Sequence, residues 1–185
     1  MEILSQLKRF CPSDEKEAKD TELLMSLIKK DPSCFSRERE EGHVTASAWI
    51  VNPEKTRVLF CYHKLYDSWS WVGGHADGEK DLRAVALKEA KEETGIENFT
   101  VSRDILSVEL LPVKGHIKKG KYVPSHLHYN ATYLLEASEN EPLKINPDEN
   151  TGLMWIDIKD IEEYSTEKWM CENVYSKIRR KLINY

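Results

Sequence analysis

One stretch restricts this chain more than any other: GGHADGEKDLRAVALKEAKEETGI, from Gly73 to Ile96. Three glycines stand ahead of a run free of helix breakers, and a fourth, Gly95, closes it. Asp81 suits an N-cap, whose side-chain oxygen accepts from the first unpaired N–H groups of a helix. Gly95 suits the left-handed residue after a last turn, and Ile96 the apolar contact that follows it. The pattern predicts a helix over 82–94.

That helix puts its carboxylates in an unusual place. At about 100° per residue, with Leu82 at zero, Val85 falls near 300° and Ala86 near 40°. On the same wheel Glu89 falls at about 340°, Glu92 at about 280° and Glu93 at about 20°. The three carboxylates therefore continue the apolar stripe. Most glutamate clusters are solvated helix ends, but solvated charges belong opposite the apolar residues. Carboxylates on a packing face lose hydration or take up protons. A hard divalent cation removes that penalty, and Mg²⁺ accepts carboxylate oxygens while keeping waters and substrate phosphates in its shell. The spacing i, i+3, i+4 brings all three within reach of one small ion cluster. Gly73, Gly74 and Gly78 then let the backbone bend and approach a ligand closely.

Around this helix the pattern alternates. Residues 1–40 read as a polar helical segment, with one helix face at Leu4, Leu7 and Phe10. A second face, at Leu23, Leu24, Leu27 and Ile28, starts near Asp20 or Thr21 and stops before Asp31-Pro32. Strand patterns follow at 43–51 and 56–62, with Asn52-Pro53-Glu54-Lys55 as the turn between them, and a short extended piece covers 69–72. Further strands are expected over 101–113, 122–137 and 152–158, the first two joined by the basic turn KGHIKKGK. From Thr166 to Ile183, Met170, Val174, Ile178 and Leu182 recur every four residues, a helix with one buried stripe. The order predicts an α+β fold, an α/β/α sandwich on a mixed sheet. The expected organisation is an N-terminal helical extension, 1–40, packed on a main domain, 41–185.

Composition narrows the function. A chain of 185 residues suits one domain. The net charge of −5 argues against a non-specific binder of nucleic-acid polymers but leaves room for a nucleotide in a local basic pocket. Cys11, Cys34, Cys61 and Cys171 have neither disulfide-framework nor metal-ligand spacing and read as reduced thiols. No apolar run resembles a signal peptide or approaches the ~20 residues of a membrane helix. The expected location is the cytoplasm.

The glycine–helix segment resembles the box of the Nudix hydrolases, written Gly-x5-Glu-x7-Arg-Glu-apolar-x-Glu-Glu-x-Gly-apolar. Gly74, Glu89, Ala90, Glu92, Glu93, Gly95 and Ile96 match it in register. Two positions depart: Lys88 stands for the box arginine and Lys80 for the first box glutamate, with Glu79 one residue early. A Glu79–Lys88 pair is one expected replacement for that brace between loop and helix; a weaker brace is the other. The resemblance implies a Nudix fold and a hydrolase that cleaves a pyrophosphate bond in a nucleoside diphosphate linked to another moiety. It implies Mg²⁺, or Mn²⁺ in its place, with Gly74 (through its carbonyl), Glu89, Glu92 and Glu93 as ligands. Glu92 and Glu93 are implied as catalytic, Glu92 as a ligand or as base for the attacking water. Many family members add a glutamate from a late loop, a place taken here by Glu149, for which a solvated loop residue is an equal reading. Homodimers are common by resemblance, though no patch in this sequence predicts an interface.

Weaker signals surround this core. His126 and His128 share one face of a strand, and His75 directly follows the glycine pair; these are candidate substrate contacts, with structural pairing an equal reading for the strand histidines. His43 flanks the same region. Lys114, Lys118, Lys119 and Lys121 are placed to steer polyphosphate, though a solvated turn explains them more simply. Trp49, Tyr66, Trp69 and Trp71 are expected mostly in the core. A catalytically weak Nudix domain that binds a nucleotide as a sensor is the alternative, motivated by Lys80 and Lys88 and opposed by the intact glutamate trio. A Nudix-fold isomerase ranks last, since no cysteine lies near the box.

Overall fold

The structure, a computed structural model, describes residues 2–64, 66–118, 120–147 and 150–183. Helices α1 (Glu2–Arg9) and α2 (Glu15–Lys30) lead into strands β1 (Gly42–Val51), β2 (Arg57–His63), β3 (Ser68–Ser70) and β4 (Val72–His75). Helix α3 (Leu82–Thr94) follows, then β5 (Thr100–Val113), a small hairpin of β6 (His116–Lys118) and β7 (Lys121–Val123), β8 (His126–Glu136) and β9 (Asn150–Asp157). The chain ends in α4 (Ile161–Tyr164) and a helical run: α5 (Lys168–Met170), a π-helical stretch over Cys171–Tyr175, and α6 (Ser176–Leu182).

β1 organises the sheet. It runs parallel to β8 along its whole length, and β5 lies antiparallel on the far side of β8. On its other edge β1 pairs with β4 along Thr45–Ala48 and with β2 near Val51, and β2 carries β3 and β9. Alternation along β1 sends successive side chains to opposite faces. Val44, Ala46, Ala48 and Ile50 join Leu82, Val85 and Ala86 of α3 and residues of α1 and α2 in one core. Trp49 and Val51 face a second core with Val174, Tyr175 and Ile178. Helices thus cover both faces of a mixed sheet, the α/β/α sandwich expected.

α3 spans 82–94 as the pattern predicts. The Asp81 carboxylate accepts from the N–H groups of Arg83 and Ala84, and Gly95 ends the helix at φ 74°. Ile96 behind it is fully buried. Three elements differ from expectation. α2 begins at Glu15, capped by Asp14, earlier than its apolar face indicated, because its first turns bury Glu17, Asp20 and Thr21 rather than hydrocarbon. The strand expected over 122–137 is two: Pro124 lacks the N–H a ladder needs, and β8 restarts at His126. The C-terminal helix keeps its stripe of Val174, Ile178 and Leu182 but widens at Cys171–Tyr175.

β5 would be an open edge, and it is closed by charge. From α2, Glu17 accepts from Val108 N and Asp20 from Leu110 N. From α6, Lys177 donates to the Val108 carbonyl and Lys181 to the Leu106 carbonyl. Lys177 Nζ also lies 3.1 Å from both Glu17 and Glu109, all three nearly or fully buried. Exposed N–H and C=O rows invite pairing with another chain; here ion-paired side chains take both rows.

Candidate active site

The segment before α3 is built to bring backbone against carboxylates. β4 lays Gly73 and Gly74 against Ser47 and Ala46 of β1. A Cβ on Gly74 would collide with the Glu89 carboxyl group, and one on Gly73 with Ser47 and the Ala46 backbone. Glu93 Oε1 accepts from Gly73 N at 3.2 Å. Glu89 and Glu93 are 9% and 3% exposed, whereas the Glu92 side chain is 51% exposed. Two of the three carboxylates therefore sit in the packing face and the third stands at its solvent margin, as its angle at the edge of the stripe allows. The donors gathered here are all oxygen, which suits a hard divalent cation.

The turn from β4 into α3 is pinned on both sides. Ala76 N donates to the Val44 carbonyl and Gly78 N to the Phe35 carbonyl. Asp77 at φ 48° and Gly78 at φ 93° make the sharp reversal. Arg37 holds Asp77 through two hydrogen bonds, the one from Nε at 2.6 Å. The segment that follows α2 thus anchors this loop.

The expected Glu79–Lys88 pair does not form. Glu79 instead accepts from the backbone N–H groups of Lys80 and Asp81, which hold its carboxyl below the usual range. Lys88 lies along its own helix, 2.6 Å from Glu92 and 3.1 Å from Glu89. The hydrogen bond to Glu92, opposed by partial burial and reinforced by Glu89, raises the lysine pKa. The box arginine's substitute is thus a cation resting on two of the box carboxylates. Burial gives no reason for a Glu79 partner: both residues have nearer hydrogen-bonding groups on their own segments.

Glu149 and Lys119 lie outside the described residues, as does the Lys118 side chain. Asn150, which follows Glu149 in sequence, is buried and donates from Nδ2 to the Glu93 carbonyl at 3.1 Å. Lys114 and Lys121 are exposed beside the β6–β7 hairpin. Trp49 and Trp71 are core residues, Trp69 is half-buried and Tyr66 is exposed.

On the opposite face of the sheet from α3 the strands bring four histidines together. His43 and His128 stand in register on β1 and β8, and His75 on β4 is opposite Thr45. Ring centroids of His43 lie 4.9 Å from His75, 5.1 Å from His126 and 5.0 Å from His128. Burial, partly offset by the hydrogen bond to the Arg39 carbonyl, lowers the His43 pKa and keeps its ring neutral. His43 was the least evident member in sequence, because only the parallel register of β1 on β8 joins it to the others.

The sequence over residues 42–174 matches the model of the NUDIX domain. The chain belongs to the Nudix family. With that family it is a hydrolase of phosphorus anhydrides. Comparison with curated proteins gives no significant match. Among solved structures, the chain is similar in fold to an Ap4A hydrolase of C. elegans, at 19% identity and a TM-score of 0.56, covering 77% of this chain and 98% of that one. It is similar to the dihydroneopterin triphosphate pyrophosphohydrolase of E. coli at 18% identity and a TM-score of 0.58, covering 77% and 96%. A Nudix hydrolase of Clostridium perfringens matches at 20% identity and a TM-score of 0.52, over 75% and 97%.

Proposed function

We propose that this protein is a Mg²⁺-dependent hydrolase, Mn²⁺ serving in its place, that cleaves the pyrophosphate bond of a nucleoside diphosphate linked to another moiety. The observation that carries the reading is the pair of buried carboxylates, Glu89 and Glu93, closed against the bare backbone of Gly74 and Gly73. Glu89, Glu92, Glu93 and the Gly74 carbonyl would hold the ion. When bound, such an ion withdraws charge from phosphoryl oxygens and acidifies water.

The residues of the chain do the rest. Buried Glu89 and Glu93 are held on the helix, Glu93 also by the Gly73 N–H, so they need little reorganisation when substrate arrives. Glu92, at the solvent margin, is the group best exposed to accept a proton from the attacking water at a carboxylate oxygen. The Lys88 ammonium orients Glu89 and Glu92. Glu149 is proposed as a further carboxylate of the reaction, on the strength of its neighbour Asn150 being tied to the Glu93 carbonyl. His75 and the strand histidines His126 and His128 were candidate substrate contacts; their convergence with His43 supports a different role, argued below.

The substrate is a small diphosphate rather than a polymer, in keeping with the net charge of −5. The Ap4A hydrolase and the dihydroneopterin triphosphate pyrophosphohydrolase named above act on two different compounds, so neither selects the moiety. Cys11, Cys34, Cys61 and Cys171 are free thiols, which supports a reducing compartment, the cytoplasm. No helix among the described residues is long and apolar enough to cross a membrane. We take residues 1–40 as an addition to the family unit, and a homodimer as the assembly, testable by light scattering.

The test is phosphate release from a panel of nucleoside triphosphates, dinucleoside polyphosphates and nucleotide sugars with Mg²⁺, beside Glu92→Gln and Glu93→Gln. Turnover that both variants lose supports the hydrolase. Lys88 resting on two box carboxylates favours one second reading, a weakly catalytic nucleotide sensor. Mg²⁺-dependent nucleotide binding by calorimetry without turnover would select it.

A further inference from the structure

The histidine cluster has the construction of a metal site of another kind. One ring nitrogen from each of His43, His75 and His128 lies within 4.8 Å of one from each of the others. They come from three adjacent strands, so the backbone beneath them is fixed by the ladders of β1 with β4 and with β8. The face they occupy is opposite the box glutamates: Gly74 points toward Glu89, and its neighbour His75 therefore points away.

Hydrogen bonding decides which nitrogens are available. His43 Nδ1 is 3.1 Å from the Arg39 carbonyl. A carbonyl only accepts, so Nδ1 carries the proton and the neutral ring has its lone pair at Nε2. That Nε2 is buried, in a side chain 4% exposed, and has no hydrogen-bond partner among the described residues. His126 Nδ1 is likewise 2.8 Å from the Pro124 carbonyl and donates to it. His126 Nε2 lies 3.1 Å from His128 Nε2. One of these two nitrogens donates to the other, which ties the two rings together.

His43 is therefore held by a hydrogen bond at one nitrogen while the other is buried and bare. That is how ligating histidines are oriented: the second ring N–H is given to a carbonyl or another acceptor, which fixes the tautomer and raises basicity. A buried, unpartnered imidazole nitrogen otherwise loses the hydrogen bond it had in water. Ligand nitrogens around a tetrahedral ion with bonds of about 2.0–2.1 Å stand about 3.3 Å apart, and small ring rotations on fixed strands close the difference.

We propose that His43, His75 and His128 form a binding site for a borderline transition-metal ion of the Zn²⁺ class, separate from the carboxylate site for Mg²⁺, with His126 and the Arg39 carbonyl as its orienting shell. Imidazole suits Zn²⁺, Co²⁺ and Ni²⁺, whereas Mg²⁺ prefers oxygen. Three histidines leave the fourth position of a tetrahedral ion open. The proposal does not depend on the activity of the carboxylate site.

The test uses the full chain without an affinity tag, stripped with EDTA and titrated with Co²⁺ and Zn²⁺ near neutral pH. One equivalent of Co²⁺ is expected to bind and to give the visible absorption of a tetrahedral ion, which one equivalent of Zn²⁺ abolishes. X-ray absorption at the zinc edge is expected to show imidazole scattering. The double variant His43→Gln/His128→Gln is expected to lose affinity by more than the roughly 10- to 100-fold that loss of one orienting partner costs, while Glu89→Gln/Glu93→Gln keeps the wild-type spectrum. His75→Gln, at a half-buried position, gives the same reading if circular dichroism shows the double variant misfolded. Absence of stoichiometric binding at micromolar metal, or binding that survives the histidine variants and disappears with the glutamate variants, would overturn the site.

Discussion

Glu89 folds its carboxyl group over the bare Cα of Gly74, in the space that a Cβ at position 74 would occupy. Gly74 is in extended strand and has an ordinary φ, so its glycine is required by proximity, not by backbone conformation. Gly74→Ala should therefore move a carboxylate without unfolding the strand. The expected result is a loss of about 100-fold in turnover, the scale on which an ångström of misplacement acts, with little change in the denaturation midpoint. Full activity in this variant would mean that Glu89 is not positioned for the reaction.

Lys88 tests what has become of the box arginine. Its ammonium bridges Glu89 and Glu92, so Lys88→Met should leave the two carboxylates to repel each other and splay. Loss of an orienting partner typically costs about 10- to 100-fold in metal affinity or activity. Lys88→Arg should restore most of it, since charge is kept and a fork reaches both carboxylates. Mg²⁺ affinity measured by calorimetry, beside turnover, reads both. If Lys88→Met binds Mg²⁺ more tightly than the wild type, the lysine competes with the ion and the orienting role is wrong.

The helix 82–94 was legible because cap, stripe and terminator all lie within it, and local rules suffice for each. The convergence of Glu89 and Glu93 was legible for the same reason. What escaped was everything that depends on which strands meet. The register of His43 on His128 joins residues 85 positions apart, and no local pattern encodes it. The sealing of β5 was hidden differently. Glu109 lies within an apolar strand, and Lys177 stands three residues after Val174 on a buried stripe. Each is an exception to its own pattern; with Glu17 and Lys181 they make two carboxylates balanced by two ammonium groups. The apolar periodicity of α2 began late because Glu17 and Asp20, which close the sheet edge, are its inward residues.

That buried cluster should govern acid stability. Burial pushes the Glu17 carboxyl up, but the Lys177 and Lys181 ammonium groups and the Ser13 N–H outweigh it and hold it at about 2, against an ordinary value of 4.5. Lys181 itself is shifted down, burial outweighing Glu17, so Lys177, whose pKa is raised despite burial by Glu109 and Glu17, is the firmer partner. A carboxyl depressed in the folded state contributes stability above its unfolded pKa and loses it as pH falls through the folded one. The Glu17 contribution should thus be whole above pH 4.5 and vanish toward pH 2. Urea denaturation of the wild type and Glu17→Gln should show a gap that narrows across this range; a constant gap would remove Glu17 from the acid response. Lys177→Met, which strands buried carboxylates, should cost about 3–5 kcal/mol at neutral pH.

The same geometry bears on where the folding unit begins. The family match starts at residue 42, which invites expression of residues 41–185 alone. Ile3, Leu7, Leu24 and Ile28 are nevertheless buried in the core beneath α3. Burial of four such side chains is worth roughly 6–12 kcal/mol at about 1.5–3 each, as an upper bound. A domain's whole stability is about 5–15 kcal/mol, so their removal alone brings the balance near zero. Truncation also takes away the acceptors of Val108 N and Leu110 N and one carboxylate partner of Lys177. The exposed β5 edge would then offer free N–H groups to another chain. The shortened protein should accordingly aggregate or melt without cooperativity, read by size-exclusion chromatography and thermal unfolding. A soluble monomer melting within a few degrees of the full chain would show that α1 and α2 are dispensable to the fold.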